Sequence, residues 1–447
     1  MRRLAAIALS VMIGLGSANI SYGTSAPPEI MADTAVLINA DTGEVLFDKQ
    51  MDKQKFPAST TKVMTALLTL ENLDLDKKVT IDNEVAYTAG SRIFLIEGEE
   101  VTVEQLLNAM LIESANDAAV ALAKQVSGSV DEFAALMNKR AAELGAKNTH
   151  FANPNGMPNE QHLTTAYDLA MVAKEAIKNE KFREIVTTYK YTLPATNKQP
   201  ERYLYNGNRL LFDTNTKVQY NGAVIPLKYD GVTGIKTGYT VAAGSCLVCS
   251  AERDGIELIA VLFQSDPNNM FLDGIKLLDY GFANYTSVEV LSEGAPAGTI
   301  DIRGGKTDSI KAVVADSASV TLPVEISPDL IRTEFDIPAV LTAPVKKGDK
   351  VGAVKVYEAD RLLGEYDVVA KSSAPASMWL DLGSTAKSAL PYLLYAIGAV
   401  FGLFVLYVAV WIIVKRRQVR RKRLKRQQML REACNGRQDR GANREMI

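Results

Sequence analysis

The sequence predicts an α+β fold in which helices pack against one antiparallel sheet. Strand patterns occupy residues 34–48 and 231–265, and the stretch between them is mainly helical in its periodicity. Because strand-forming segments flank a helical middle, a single sheet built from both ends can cover the apolar faces of the helices. A small all-β domain and a C-terminal transmembrane helix are predicted to follow. The 447 residues are too many for one compact domain, which agrees with this division.

The N-terminus has the pattern of an export signal. Arg2 and Arg3 precede an apolar run at residues 4–15, and small residues follow, with Ala18 or Gly23 as the expected cleavage point. A basic start, a short apolar segment and small residues are typical of a secretory signal peptide. The alternative is a retained anchor, although the apolar run is short for a membrane span. We therefore predict a signal peptide at residues 1–23 and export of the segment that follows.

Local signals then predict each helix and strand in turn. Apolar residues on nearly every face predict a buried helix, and Ser/Thr-x-x-Glu/Gln capping patterns open others. The predicted helices cover residues 59–73, a segment starting at the capping box of residues 102–105, residues 129–145 and residues 165–179. Alternating apolar residues and tight turns predict strands. These cover the hairpin at residues 34–48 and the segments 231–240, 243–251 and 256–265.

The C-terminal part changes character twice. A main domain is predicted at residues 24–293, and at residues 294–371 short alternating runs between turn residues predict a small β-sandwich domain. Residues 372–389 are predicted to be a linker.

Residues 390–414 contain no charge. A helix of that length rises about 37 Å, enough to cross a hydrocarbon layer of about 30 Å with some tilt.

The charge distribution predicts the location. The last 33 residues, 415–447, hold 13 lysines and arginines against 3 acids, whereas residues 24–414 hold 35 basic and 49 acidic residues. Basic residues beside an apolar span stay on the cytoplasmic side. We therefore predict a single-pass protein of the cell membrane, with residues 24 to about 385 outside the cytoplasm and a cytoplasmic basic tail that contacts lipid. An acidic body is unlike that of a nucleic-acid-binding protein.

Histidine and cysteine usage predicts neither a metal site nor a disulfide scaffold. His150 and His162 are the only histidines, too few for a histidine-based metal site without help from acids that are not clustered, so no metal or other cofactor is predicted. Both histidines are predicted to be structural. Cys246 and Cys249 lie three residues apart in a predicted strand, so their side chains should point to opposite faces and not form a disulfide.

Three short motifs contain the candidate catalytic and substrate-binding residues. In chain order they are Ser59-Thr60-Thr61-Lys62, Ser114-Ala115-Asn116 and Lys236-Thr237-Gly238. The first two are weak singly, because Ser384-Thr385-Ala386-Lys387 repeats the first and Ser17-Ala18-Asn19 repeats the second. The Lys-Thr-Gly motif occurs once in the chain. Order, separation and placement at element boundaries therefore indicate a serine acyl-transfer site that uses lysine as its base.

The residue types fit that chemistry. Ser59 needs a base within hydrogen-bond reach, and Lys62 lies one helical turn away on the same face. Burial of Lys62 and the positive end of the helix both favour transfer of the Ser59 proton. The alternative is a capping serine beside a surface lysine, which the apolar surroundings of this helix disfavour.

The other two motifs supply proton relay and substrate contacts. Ser114 can pass the proton to a leaving group, and Asn116 offers an amide to the substrate, although a helix cap there is compatible with both. Lys236 is interpreted as the cation for a substrate carboxylate, with Thr237 as hydrogen-bond partner and Gly238 permitting close backbone approach. An isolated solvated lysine is the alternative for Lys236.

The segments PASTTKVMTALL, IESANDAAVALA and DGVTGIKTGYT resemble the D-alanyl-D-alanine carboxypeptidases, the low-molecular-mass penicillin-binding proteins. The likeness covers about residues 30–375, including a C-terminal β domain of the APVKKGDKVG type. It implies the fold shared by penicillin-binding proteins and serine β-lactamases. It also implies a serine peptidase that removes the last D-alanine of peptidoglycan stem peptides and is trapped by penicillins.

The same resemblance implies individual roles. Ser59 would be acylated, Lys62 would be the acylation base, and Ser114 with Lys236 would relay protons. The backbone amides of Ser59 and Tyr239 would form the oxyanion hole. Family members often carry a carboxylate-binding arginine near the position of Met270; Arg209 and Arg253 are nearby in this sequence.

Three readings stay open on the sequence alone. The leading one is a membrane-anchored D-Ala-D-Ala carboxypeptidase. A β-lactamase or transpeptidase shares the same motifs, and a non-catalytic wall-binding or penicillin-sensing module is a third possibility. The fate of the acyl group separates the enzymes, and loss of wall trimming in a Ser59→Ala variant separates an enzyme from a sensor.

Overall fold

The computed structural model describes residues 26–267 and 269–438; the predicted signal peptide lies outside them. The chain divides into two compact units. The first comprises the chain up to Ala295 together with Val314–Asp336 and Ala353–Asp367. The second comprises Pro296–Val313, Ile337–Gly352 and the chain from Val368 onward.

A five-stranded antiparallel sheet is the centre of the first unit. Eleven strands precede residue 270 in the described chain: β1 (Thr34–Asn39), β2 (Val45–Lys49), β3 (Lys78–Thr80), β4 (Glu100–Thr102), β5 (Lys190–Leu193), β6 (Arg202–Tyr205), β7 (Lys217–Tyr220), β8 (Ala223–Pro226), β9 (Val232–Thr240), β10 (Gly244–Arg253) and β11 (Ile256–Ser265). The order in the central sheet is β2-β1-β11-β10-β9, and every neighbouring pair is antiparallel. The predicted sheet, assembled from both ends of the domain, is confirmed.

Helices α1 to α7 occupy the middle of the domain, as predicted, and α8 follows the last strand of the central sheet. In chain order they are α1 (Lys62–Asn72), α2 (Asn83–Ala86), α3 (Val103–Ile112), α4 (Asn116–Ser127), α5 (Val130–Glu143), α6 (Ala166–Ala176), α7 (Glu180–Thr187) and α8 (Met270–Asn284). The Thr102 hydroxyl accepts the Gln105 N–H at 3.2 Å, and the Gln105 side chain accepts the Thr102 N–H at 2.8 Å. This reciprocal pair is the capping box that the sequence predicts for the start of α3.

The two faces of β11 divide the core. Ile259, Val261 and Phe263 are buried on the face that packs against the main group of helices. The alternate residues Leu258, Ala260 and Leu262 are buried with α8 on the other face. A strand buried on both sides has a continuous apolar sequence, because successive side chains point to opposite faces.

The two strand cysteines follow the same alternation. Cys246 belongs to the core on the helix side and Cys249 to the core on the α8 side. Both are buried free thiols. The prediction that they do not form a disulfide is confirmed, and burial raises the pKa of each thiol to about 12.

The nucleophile segment differs from its prediction in one respect. Residues 59–73 were expected to form one helix, but α1 begins at Lys62 and is preceded by a tight 3₁₀ turn at Ala58–Thr61. The Thr60 N–H and hydroxyl both donate to the Pro57 carbonyl, at 3.2 and 2.6 Å. These short-range bonds hold the tighter turn and place Ser59 just outside the regular helix.

From Tyr285 to Ala370 the described chain consists of strands and the turns that connect them, with one short 3₁₀ turn at Pro328–Leu330. The strands are β12 (Tyr285–Leu291), β13 (Pro296–Arg303), β14 (Ser309–Val314), β15 (Ala318–Pro323), β16 (Ile331–Asp336), β17 (Val340–Thr342), β18 (Lys350–Glu358) and β19 (Arg361–Ala370). Within the first unit β12 pairs with β15 and β16 with β18, both antiparallel. Within the second, β13 pairs antiparallel with β14 and parallel with β17. The all-β character is confirmed; the boundaries at residues 294 and 371 stay a prediction.

The described chain ends in a long helix, α9 (Met378–Gln438), in the second unit. Its segment Pro391–Arg431 includes an apolar stretch that is long enough to cross a membrane, and none of that stretch is buried against protein. The basic residues from Lys415 to Arg437 lie on the same helix. The predicted span at residues 390–414 therefore coincides with a C-terminal membrane-helix candidate.

Candidate active site

Ser59 and Lys62 meet at the start of α1. The 3₁₀ turn leaves the Ser59 side chain partly exposed, while Lys62 is fully buried. Their Oγ and Nζ atoms are 2.9 Å apart. The spacing of three residues therefore produces the contact that the sequence predicts between a nucleophile and its base.

Two further acceptors surround the Lys62 amine. Its Nζ donates to the Asn116 Oδ1 and to the Asn155 carbonyl, each at 2.7 Å. The Asn116 side chain is held in this orientation because its Nδ2 donates to the Ala89 carbonyl at 2.8 Å. A neutral amine has two N–H groups and one lone pair. When both N–H groups bind these acceptors, the lone pair faces the Ser59 hydroxyl and can accept its proton.

The electrostatics favour that neutral amine. Burial lowers the pKa of Lys62 well below its ordinary value, and the positive charge of Lys236 lowers it further. Asp117 opposes the shift with a smaller effect. No carboxylate bonds to the Lys62 Nζ among the described residues; its partners there are a hydroxyl, an amide oxygen and a carbonyl. The environment therefore solvates the amine without stabilising its protonated form as an ion pair would.

Two glycines permit other segments of the chain to lie close to the turn that contains Ser59. A Cβ at Gly156 would lie 1.8 Å from the Ala58 carbonyl oxygen, and its φ of +82° is in the left-handed region. A Cβ at Gly238 would lie 3.0 Å from the Ser59 nitrogen and 3.1 Å from the Thr60 nitrogen. Residues with side chains would displace the turn, so both close approaches depend on glycine.

The third motif lies on β9, the edge strand of the central sheet. Lys236 is buried, and its Nζ donates to the Thr237 carbonyl at 3.0 Å. Thr237 is half-buried, whereas the Tyr239 side chain is 63% exposed. One row of backbone groups on an edge strand has no partner strand, so it can bind an extended ligand. Gly238 places this edge beside Ser59.

Burial also lowers the pKa of Lys236. Removal from water lowers its pKa to about 8, although the nearby Glu113 carboxylate raises it slightly. Lys236 therefore carries its positive charge near neutral pH and loses it in mildly alkaline solution.

In the middle motif, Ser114-Ala115-Asn116, only Asn116 forms a side-chain hydrogen bond with a residue of another motif among the described residues. Asn116 begins α4 and contacts Lys62 directly, which is a role that the sequence did not predict for it. Ser114 has a φ of +63° and is half-buried. Across residues 26–267 and 269–438 its hydroxyl makes no hydrogen bond, so the predicted proton relay through Ser114 stays a prediction.

The loop that supplies Asn155 and Gly156 to the site was not predicted from the sequence. The Asn153 Oδ1 accepts the Gly156 and Met157 N–H groups at 2.8 and 3.1 Å, and the Pro154 carbonyl accepts the Thr65 hydroxyl at 2.6 Å. The run Asn-Pro-Asn-Gly is a turn signal. Nothing in that signal indicates that a backbone carbonyl of the loop would bind the base.

His162 forms a hydrogen bond with Thr61 in the turn that contains Ser59. It is buried; its Nδ1 accepts the Ala152 N–H at 2.9 Å and its Nε2 lies 2.8 Å from the Thr61 hydroxyl. The backbone N–H requires a lone pair on Nδ1, so Nε2 carries the proton and donates to Thr61. Burial lowers the pKa of His162 to about 4, which keeps the ring neutral. It lies outside the proton-transfer set, in agreement with the structural role predicted from sequence.

Arg209 and Arg253, the two arginines named from the sequence, both interact with groups outside the three motifs. The Arg253 guanidinium donates to the Asp230 carbonyl and lies 4.1 Å from the Tyr229 ring centroid. It belongs to the far end of β10, since Arg253 pairs with Ile256 whereas Leu247 is the partner of Thr237.

Arg209 forms an ion pair with Asp213 at 2.6 Å, and its guanidinium lies 5.7 Å from the Phe271 ring centroid, next to Met270. Lys236 is therefore the cation that the structure places beside the Ser59 turn on β9. Within the described ranges, no group of three or more His, Cys, Asp or Glu residues is arranged to hold a metal ion.

Comparisons with known proteins agree with this geometry. Residues 21–267 match the D-alanyl-D-alanine carboxypeptidase family, and residues 285–376 match the C-terminal domain of penicillin-binding protein 5. The chain is 36% identical to the D-alanyl-D-alanine carboxypeptidase DacF of Bacillus subtilis over 346 residues, covering 76% of this chain and 85% of DacF. It is 30% identical to DacD of Escherichia coli over 393 residues, covering 83% and 95%.

Solved structures lead to the same family. Penicillin-binding protein 5 of Haemophilus influenzae aligns with a TM-score of 0.60 and 27% identity, covering 78% of this chain and 99% of that one. The Streptomyces K15 DD-transpeptidase aligns with a TM-score of 0.53 and 34% identity, covering 58% and 100%. With the family match extending over more than half of the sequence, the chain belongs to the D-alanyl-D-alanine carboxypeptidase family of serine peptidases.

Proposed function

We propose that this protein releases the terminal D-alanine from peptidoglycan stem peptides through an acyl-enzyme on Ser59. The observation that carries the proposal is the position of the Lys62 Nζ, 2.9 Å from the Ser59 Oγ and 2.7 Å from each of two oxygen acceptors, the Asn116 Oδ1 and the Asn155 carbonyl. In the neutral amine both N–H groups donate to those two acceptors, so the lone pair faces Ser59. This arrangement suits proton abstraction from a serine hydroxyl. It therefore supports acyl transfer without a histidine base.

Acylation then proceeds in two steps. The Ser59 Oγ attacks the carbonyl carbon of the scissile D-Ala-D-Ala bond while its proton passes to the Lys62 Nζ. The proton is next delivered to the departing amine by way of Ser114, the C–N bond breaks, and D-alanine leaves. Water hydrolyses the ester and restores the Ser59 hydroxyl. Penicillins acylate the same oxygen and so act as inhibitors.

The substrate contacts follow from the edge strand. Lys236 supplies positive charge for the terminal carboxylate, and Thr237 supplies a hydroxyl. The backbone N–H groups of Ser59 and Tyr239 stabilise the oxyanion, because donors already in place need no reorganisation as charge develops. The second Nδ2 hydrogen of Asn116 is available to the substrate backbone, since the first is donated to Ala89.

The C-terminal helix supports a membrane location. We propose that α9 crosses the cell membrane once, with the catalytic residues outside and the basic tail from Lys415 in the cytoplasm. The basic side chains then lie beside anionic lipid head groups. This arrangement keeps the Ser59 site close to the cell wall.

A second candidate is transpeptidation, because one structural neighbour is a DD-transpeptidase at 34% identity. In that reaction an amine, instead of water, accepts the acyl group from Ser59. The two reactions share every step up to release of D-alanine, so only the acceptor distinguishes them.

The first prediction concerns the reaction itself. Purified full-length protein should release D-alanine from a pentapeptide without any amine acceptor, and Ser59→Ala should reduce release to background. Fluorescent penicillin followed by mass spectrometry should identify Ser59 in the modified peptide. Product that forms only when an amine is added would overturn the hydrolase assignment in favour of transpeptidation.

The second prediction compares two copies of one motif. Lys62→Ala should slow penicillin acylation by about 10²- to 10⁴-fold, because the general base is lost. Lys387→Ala changes the equivalent lysine of the Ser384-Thr385-Ala386-Lys387 copy and should leave acylation unchanged. The rate of labelling by fluorescent penicillin measures both, and equal rates in the two variants would contradict the assignment of Lys62.

The third prediction concerns pH. Lys236 is charged below its pKa of about 8 and neutral above it, so penicillin acylation should fall in alkaline solution with a midpoint near that value. Lys236→Arg keeps its charge and should move the fall to higher pH, even if its maximum rate is lower. An alkaline midpoint that is the same in both proteins would show that another group titrates.

The fourth prediction concerns the turn that carries Ser59. Gly156→Ala forces a Cβ into the Ala58 carbonyl, and displacement of the nucleophile should lower acylation about a hundredfold. Gly145→Ala is the matched control, because Gly145 also has a positive φ of +79° but has no atom within 4 Å of its added Cβ. The control should lose about 1 kcal/mol of stability from backbone strain and keep its acylation rate. Similar rates in both variants would contradict the packing argument.

A further inference from the structure

Residues 89–96 hold the Asn116 amide in place. The Ser91 carbonyl accepts the Asn116 N–H at 2.7 Å, and the Ala89 carbonyl accepts the Asn116 Nδ2 at 2.8 Å. The Asn116 Oδ1 then faces the Lys62 Nζ at 2.7 Å. If the amide turned over, it would present its Nδ2, a donor, to the Lys62 amine, and one Lys62 N–H would lose its acceptor. The orientation of Asn116 therefore depends on where residues 89–96 lie.

Regular secondary structure does not fix these residues, because the chain between α2 and β4 forms neither helix nor strand. The carboxylate of Asp117, which is buried at the start of α4, accepts the Ile93 and Leu95 N–H groups at 3.3 and 3.1 Å. Between them the Phe94 side chain is 64% exposed. Individual hydrogen bonds, together with burial of Ile93 and Leu95, therefore determine the position of this segment.

Arg202, on strand β6, holds the same segment from the other side. Its Nη1 donates to the Ile93 carbonyl at 3.0 Å, and its Nη2 forms an ion pair with the Glu99 carboxylate. Glu99 is fully buried, and its Oε2 accepts the Ile96 N–H at 3.0 Å and the Gln199 Nε2 at 2.8 Å. Arg202 thus binds residue 93 directly and residue 96 through Glu99.

A guanidinium suits this position because it stays charged and donates to two acceptors in fixed directions. The Arg202 side chain is only 15% exposed, so water has little access to replace it. Its loss would leave the buried Glu99 carboxylate without its cation and the Ile93 carbonyl without this donor. Among the described residues its hydrogen bonds go to Ile93 and Glu99, outside the three motifs. Arg202 therefore reaches the reaction through the segment that it holds.

We propose that Arg202 is a positioning residue for acyl transfer, which keeps the Asn116 amide oxygen directed at the Lys62 amine by holding residues 89–96. The inference deepens the proposed function and rests on it, because this orientation matters only if Lys62 accepts the proton of the nucleophile. The connection is short, since Ile93 lies two residues after the carbonyl that accepts the Asn116 N–H. A shift of the segment therefore moves the amide that orients the base.

The rate at which fluorescent penicillin acylates Ser59 in the full-length protein tests the proposal. Arg202→Gln should slow acylation about tenfold, because a displaced amide no longer fixes the Lys62 lone pair toward the nucleophile. Arg202→Lys retains a positive charge beside Glu99 and should recover part of the rate, to about threefold below that of the wild type. The lysine variant also applies the test if Arg202→Gln does not fold.

Arg183→Gln is the matched control. Arg183 also pairs with a buried glutamate, Glu257, and also donates to a backbone carbonyl, that of Ile177. The control should lose thermal stability to a similar extent and keep its acylation rate. Equal slowing in Arg183→Gln would assign the loss to general destabilisation and overturn the proposal.

A double variant identifies the route of the effect. Asn116→Ala removes the amide itself, and adding either Arg202 variant to it should slow acylation by less than about twofold more, because residues that act through one contact are not additive. Effects that multiply, or wild-type rates in both Arg202→Gln and Arg202→Lys, would overturn the positioning role and leave the proposed function intact. A wild type in which penicillin does not label Ser59 would overturn both.

Discussion

The structure depends on how one buried amine is accommodated. A lysine removed from water is costly when charged, and the cost is reduced if it becomes neutral and its N–H groups are hydrogen-bonded. Lys62 meets this condition because α1 carries it into the core and two acceptors, Asn116 and Asn155, come from other segments. The same burial that makes the lysine a base also requires those two segments to converge on it.

That convergence explains features that are otherwise unrelated. Asn116 must begin α4 and also bind the Ala89 carbonyl, so the loop before α3 is held close to the site. Asn155 lies in a loop that approaches the nucleophile turn so closely that only glycine fits at position 156. His162 then holds Thr61 from the other side with a neutral ring. The contacts of Gly156 and His162 restrict the position of the Ser59 turn without touching the substrate, which is how a preorganised site is supported.

The edge strand of the sheet completes the site from the opposite direction. Because β9 has a partner strand on one side only, its free edge can lie beside the Ser59 turn, and Gly238 permits that approach. Lys236 remains buried in this strand and lowers the pKa of Lys62 by repulsion. The nucleophile and the carboxylate site are therefore coupled electrostatically as well as spatially.

The sequence alone determined the α+β class, the sheet built from two ends, the capping box of α3, the apolar C-terminal helix and the contact between Ser59 and Lys62. These follow from local periodicity and from the three-residue spacing of Ser59 and Lys62, which brings the two together although Ser59 lies in the 3₁₀ turn before α1. Only the tertiary structure decided that Asn155 binds the base, that Asn116 orients it, and that hairpin β5–β6 and helices α7 and α8 complete the domain. A backbone carbonyl carries no residue-specific signal, and contacts between segments 54 or 93 residues apart depend on packing of the whole sheet.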